Sequence, residues 1–148
     1  MSTARHDPLG ALLVFGQFAC IAVLLFGGGW DLPWWGWALF ALGLLVFFLA
    51  ATALGGNNIT AMPTPLPGNT LTKRGIYKFV RHPMYLSVLL CGAAMAFGVP
   101  SPWRWTALAV TVVVLVAKIR HEERRLTEKH PDYPEVMRGV ARLVPGIW

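Results

Sequence analysis

Twenty-one consecutive residues, Trp34 to Leu54, contain no charged side chain, and this run constrains the fold more than any other feature. A bilayer core about 30 Å thick calls for about 20 apolar residues in helical form, because a helix satisfies its own backbone polar groups where water is absent. A second run, Leu9 to Phe26, is interrupted by Gln17 alone. It is longer than the apolar core of a signal peptide, and Arg5 is the one basic residue before it, which predicts a retained helix. Pro83 to Val99 and Trp103 to Ile119 are shorter, and Val99-Pro100-Ser101-Pro102 between them reads as a tight hairpin. These two are expected to cross obliquely or incompletely. The stripe Leu115, Ile119 and Leu126 carries the last helix onward to about Lys129, roughly 40 Å from Trp103. The expectation is one all-α integral membrane domain of about four transmembrane helices. Its spans are 9–29, 34–54, 83–99 and 103–129, with a loop at 55–82 and a cap at 130–148.

A net charge of +6 fits either nucleic acid or a membrane surface, and placement decides between them. Of the thirteen Lys and Arg residues, Arg104 alone falls in the connections 27–33 and 100–104. The other twelve lie at the opposite ends of the apolar runs. By the positive-inside rule both termini and loop 55–82 face the cytoplasm, consistent with a multi-pass inner-membrane protein. Trp30, Trp34, Trp35, Trp37, Trp103 and Trp105 mark the other interface. The basic excess therefore needs no nucleic acid, and the sequon Asn58-Ile59-Thr60 would face the unglycosylated side. Cys20 and Cys91 sit inside apolar runs without metal or disulfide spacing.

Polar residues concentrate from Gly55 to Tyr85 and from Lys118 onward. Ala61 to Gly68 alternates prolines that fix φ, so it is either a linker along the membrane surface or a substrate-facing loop. Next, Tyr77, Arg81, His82 and Tyr85 fall within nine residues of a helix start at Pro83. The free N–H groups there and the Arg81 fork suit a carboxylate or phosphate; simple interfacial anchoring is the other reading. On the last helix Glu122 lies about 40° from the centre of the apolar stripe and Glu123 about 60° on its other side. Both can face the protein, or can merely pair with Arg neighbours along the helix. His121, Arg124, Arg125 and Glu128 take the opposite, solvated face. His121-Glu122-Glu123-Arg124-Arg125 has Arg125 where a zinc-binding HExxH needs its second histidine, so no metal site is expected. Neither a Rossmann nor a P-loop glycine pattern is present.

The segment Leu71-Thr72-Lys73-Arg74-Gly75-Ile76-Tyr77-Lys78-Phe79-Val80-Arg81-His82-Pro83-Met84-Tyr85, then Glu122-Glu123-Arg124-Arg125-Leu126 and the ending Tyr133 to Pro145, resembles the isoprenylcysteine carboxyl methyltransferase and phospholipid methyltransferase superfamily. The resemblance covers about Pro63 to Pro145. It rests on G-x-Y-x-x-x-R-H-P-x-Y, a Glu-Glu pair and a closing V-x-R-x-x-P, here Val140, Arg142 and Pro145. It implies S-adenosylmethionine as cofactor, S-adenosylhomocysteine as product, and no metal. Tyr77, Arg81, His82, Tyr85, Glu122 and Glu123 would bind the cofactor at the cytoplasmic face, with Arg142 toward the substrate. The acceptor would be lipid-like or otherwise membrane-soluble: a prenylcysteine carboxylate, a phospholipid amine, or a small thiol or amine. Val136 stands where family members often carry a second tyrosine, and no particular catalytic residue is singled out. A structural or regulatory membrane protein that kept the scaffold is the competing class. Oligomeric state is left open.

Overall fold

The computed structural model describes residues 7–55 and 58–148; Arg5 and Asn57 lie outside them. Four long helices, α1 (Pro8–Phe26), α2 (Trp34–Leu54), α3 (Pro83–Gly98) and α4 (Pro102–Lys129), are followed by a single turn, α5 (Tyr133–Val136). A 3-10 turn, Gly75–Lys78, precedes α3. No strand occurs among the described residues, save one isolated parallel bridge between Val80 and Ala141. α1, α2 and α4 are long and apolar enough to cross a membrane, and α3 is a shorter apolar helix. The chain is thus an all-helical, multi-pass integral membrane protein. The first span is shorter than 9–29, because the helix stops at Phe26 and 27–33 is a connection.

Local chemistry fixes the helix starts. Pro8, Pro83 and Pro102 each occupy a first-turn position, where the missing N–H has no helical partner to lose. Asp7 caps α1 by accepting from Gly10 N–H at 2.8 Å, and Ser101 caps α4 by accepting from Arg104 N–H at 3.2 Å. His82 holds the cap position of α3 without spending its side chain on the backbone, which leaves the ring available elsewhere.

α2 packs along α3, and α1 along α4, with α3 and α4 joining the two pairs. The approach of α2 to α3 requires Gly43, where a Cβ would meet Cys91 Sγ at 2.5 Å. Buried Leu24, Ala96 and Ala107 form a hydrophobic cluster near the ends of α1 and α3 and the start of α4. The lipid-facing side stays apolar, as at Phe15, Phe48 and Val113. Trp34 and Trp103 are 82% and 72% exposed at the starts of α2 and α4. Arg104 belongs to that same end but not to its surface. It is wholly buried, donating from Nε to Leu24 O (3.0 Å), from Nη1 to Val99 O (3.1 Å) and from Nη2 to Gly29 O (2.7 Å).

At the opposite end the loop after α2 is pinned to the bundle. Asn58 Nδ2 donates to Leu54 O and to Thr72 Oγ1, and its Oδ1 accepts from Asn69 Nδ2 and Thr70 N–H. Thr64 Oγ1 donates to Asp7 Oδ2 at 2.7 Å, Lys129 Nζ donates to Leu66 O and Pro67 O, and Pro63 is fully buried. The proline-rich stretch is therefore packed against the start of α1 and the end of α4, and none of residues 61–68 lines the cavities at this end of the bundle.

Candidate functional site

The helix hairpin α3–α4 brings the start of α3 beside the last turns of α4, and that geometry assembles the site. Residues four apart on α4 lie on one face, so Lys118 and Glu122 both look toward α3. Tyr85 Oη donates to Glu122 Oε2 at 2.6 Å. Arg81 Nη1 donates to Glu123 Oε1 at 3.1 Å, Arg142 Nε donates to Glu123 Oε2 at 2.9 Å, and Tyr133 Oη approaches Oε1 at 3.4 Å. Glu123 is thus held between two guanidinium charges, Arg81 and Arg142, which favour its ionised form.

The C-terminal segment completes the cluster through the backbone. Arg81 N–H donates to Ala141 O (2.8 Å) and His82 N–H to Arg142 O (3.1 Å), while Arg81 Nε and Nη2 donate to Val140 O and Met137 O, both at 2.9 Å. His82 is buried, stacked on Tyr85 with ring centroids 5.5 Å apart and planes 4° from parallel. Its Nδ1 lies 3.8 Å from Glu122 Oε2 and its Nε2 3.5 Å from Glu123 Oε1. Neither distance makes a good hydrogen bond, and Nε2 is a buried nitrogen with no partner.

Arg81, His82, Tyr85, Glu122 and Tyr133 line a cavity of about 100 Å³ together with Tyr77, Met84, Leu126 and Met137, while Glu123 and Arg142 stand behind that lining. A neighbouring cavity of about 370 Å³ shares Leu54, Asn58, Thr70, Leu71 and Thr72 with it as a common wall. Burial and the nearby Glu122 charge push the Tyr77 phenol well above its ordinary value; burial and Glu123 do the same at Tyr133. Both therefore stay protonated hydrogen-bond donors at neutral pH.

All seven residues anticipated as a site, Tyr77, Arg81, His82, Tyr85, Glu122, Glu123 and Arg142, meet in this one cluster. The opposite face of α4 differs from expectation at His121. Its Nε2 lies 2.8 Å from Asp7 Oδ2 and its side chain is 12% exposed, because α1 begins there and supplies a carboxylate. Glu128, on that face, is exposed and lies 3.6 Å from Arg125. Two residues without an expected site role join the cluster: Tyr133, which the sequence marks only as the start of the closing segment, and Lys118, which it marks only as the start of the polar stretch of α4. Lys118 is buried, with Nζ 2.6 Å from Gln17 Oε1. Among the described residues no group of three His, Cys, Asp or Glu side chains could hold a metal ion.

Fold and site together define a small polytopic helical membrane protein with a polar pocket, lined by both Arg81 and Glu122, at one end of its apolar bundle. The chain belongs to the phospholipid methyltransferase family, whose family model matches residues 32–132. It is also similar to the cobalt-zinc-cadmium resistance protein CzcN of Cupriavidus metallidurans, 32% identical over 135 residues, or 86% of this chain. The chain spans 59% of the length of that relative.

Proposed function

We propose that this protein transfers the methyl group of S-adenosylmethionine to an acceptor that reaches the pocket from the bilayer. The observation that carries the reading is a pocket with both signs of charge beside an unpartnered buried His82 Nε2. The amino-acid end of the cofactor is a zwitterion. Its carboxylate suits Arg81 and an N–H of His82, and its ammonium suits Glu122, each a charge-assisted hydrogen bond. Tyr77, Tyr85 and Tyr133 offer hydroxyls to the ribose, and Leu126, Met84 and Met137 offer apolar contact to the base.

The residues have little covalent work to do. A lone pair of the acceptor attacks the methyl carbon, the carbon–sulfur bond breaks, and its electrons stay on sulfur as S-adenosylhomocysteine. The sulfonium is activated already, so the pocket aligns the two partners and excludes water. A nucleoside ligand needs a pocket of about 300 Å³ or more. The cavity at Arg81 and Glu122, about 100 Å³, is smaller than that, and outward displacement of the wall at Asn58 and Thr70 to Thr72 on binding would merge it with its neighbour of about 370 Å³.

The concentration of basic residues at the pocket end supports a cytoplasmic pocket face, from which the charged cofactor would enter. The acceptor's route is the apolar groove of about 270 Å³ between α1, α2 and α3, lined by Phe47, Val88 and Gly92 and beginning one turn along α3 from Met84. Gly92→Leu, which crowds Leu24 and Leu108, is expected to abolish turnover of a lipid acceptor while leaving cofactor affinity near normal. Gly43 is unsuited to the same test, since a side chain there strikes Cys91 and separates α2 from α3.

The deciding experiment is calorimetry of the purified protein with S-adenosylhomocysteine, followed by a mass-spectrometric search for a methylated lipid. Saturable binding and a methylated amphiphile are expected. Absence of binding would overturn the cofactor assignment, and a methylated product that is exclusively water-soluble would overturn the bilayer route.

A further inference from the structure

Lys118 is an anomaly that methyl transfer alone does not explain. A lysine inside an apolar bundle costs several kcal/mol and is kept where it has work to do. Its side chain is 1% exposed, and its hydrogen bond goes to the neutral amide of Gln17 at 2.6 Å. Gln17 is nine residues from either end of α1, about 14 Å along the helix, so the ammonium is held at depth rather than at a rim. A second contact is the ring of Tyr85, with Nζ 5.0 Å from its centroid, within the range of a cation–π attraction. Tyr85 in turn donates to Glu122 and stacks on His82. One line of contacts thus runs from Gln17 on α1 through Lys118 on α4 and Tyr85 on α3 to Glu122, which lines the pocket.

We propose that Lys118 is a positioning residue: held from α1 by Gln17, it fixes the Tyr85 ring from beneath and so holds the Tyr85 hydroxyl and the Glu122 carboxylate in their binding arrangement. The inference rests on the cofactor reading above. α1 contributes no lining group to the pocket, and through this line it nevertheless sets the pocket's geometry. Lys118 does not line the pocket itself; it acts through Tyr85.

The test measures S-adenosylhomocysteine affinity and thermal stability side by side. Lys118→Met should bind roughly tenfold more weakly, about the effect of one lost charge-linked hydrogen bond. Because it leaves the Gln17 amide unpaired, its melting temperature is compared with that of Gln17→Leu/Lys118→Met, which removes both buried polar groups, should melt no lower than wild type and should still bind weakly. Gln17→Leu alone should weaken binding to a smaller degree, and Lys118→Arg should restore part of the affinity. In a Tyr85→Phe background, where no hydroxyl remains to be held, Lys118→Met should have little further effect. If wild type binds and Lys118→Met binds equally well, or if its loss persists undiminished in the Tyr85→Phe background, the positioning role is wrong while the cofactor reading stands. If wild type itself fails to bind, the cofactor reading falls first.

Discussion

Arg104 and Arg81 are both guanidinium groups withdrawn from water, one at each end of the bundle, and they end in opposite kinds of structure. Arg104 gives three nitrogens to three backbone carbonyls at the ends of α1 and α3 and in the connection after α1. Carbonyls at helix C-termini carry partial negative charge, so the cation is compensated without any carboxylate. Arg81 gives two nitrogens to carbonyls of the C-terminal segment and the third to Glu123, which also receives Arg142. Around it remain groups with bonding capacity to spare: Glu122, two tyrosine hydroxyls and His82 Nε2. A cation satisfied by backbone alone is a staple, whereas one that shares its carboxylate partners with unsatisfied neighbours can take a ligand.

The largest effect should come from breaking the staple. Arg104→Ala leaves three carbonyls unpaired in a dry interior and is expected to lower stability by about 3 to 5 kcal/mol, read by thermal unfolding in detergent. Protein that does fold should keep its affinity for S-adenosylhomocysteine. A matching loss of affinity would mean the two ends are one unit.

Smaller effects should follow at the pocket. Arg81→Ala and Glu123→Gln are each expected to weaken S-adenosylhomocysteine binding by about 1.5 to 3 kcal/mol in calorimetry. Glu128→Gln, on an exposed side chain of α4, should change it by less than about 0.5 kcal/mol. Equal losses at all three would point to a weakened helix instead of a binding site.

The smallest effect concerns acid. Burial works against the Asp7 carboxylate, but Thr64, the Gly10 N–H and His121 together hold the group at about 2. Its folded value lies below its unfolded one, so it contributes stability in full above the ordinary carboxylate range, and that contribution fades as pH falls from about 4 toward 2. Asp7→Asn should flatten that acid limb of melting temperature against pH and leave neutral-pH cofactor binding intact. An unchanged acid limb would show that the cap and the His121 contact add nothing.

What the sequence made legible was local. Charge-free runs announce helices because hydropathy needs no partner, and the phase of Glu122 and Glu123 against Leu115 and Ile119 follows from 100° per residue. The convergence of Arg81 and His82 with that pair came from a motif, since 42 positions separate Arg81 from Glu123 and no periodicity spans them. Three features stayed hidden for the same physical reason. Arg104 finds Leu24 80 positions away, Lys118 finds Gln17 101 away, and His121 finds Asp7 114 away. Each had a faint signal: Gln17 as the one polar residue in its run, and Arg104 as the one basic residue at the tryptophan end.

The two backbone hydrogen bonds from Arg81 and His82 to Ala141 and Arg142 carry a consequence for biogenesis. Residues 137–143 follow the four long helices in the chain, so Arg81 is clamped only once a segment that comes after the bundle has docked onto it.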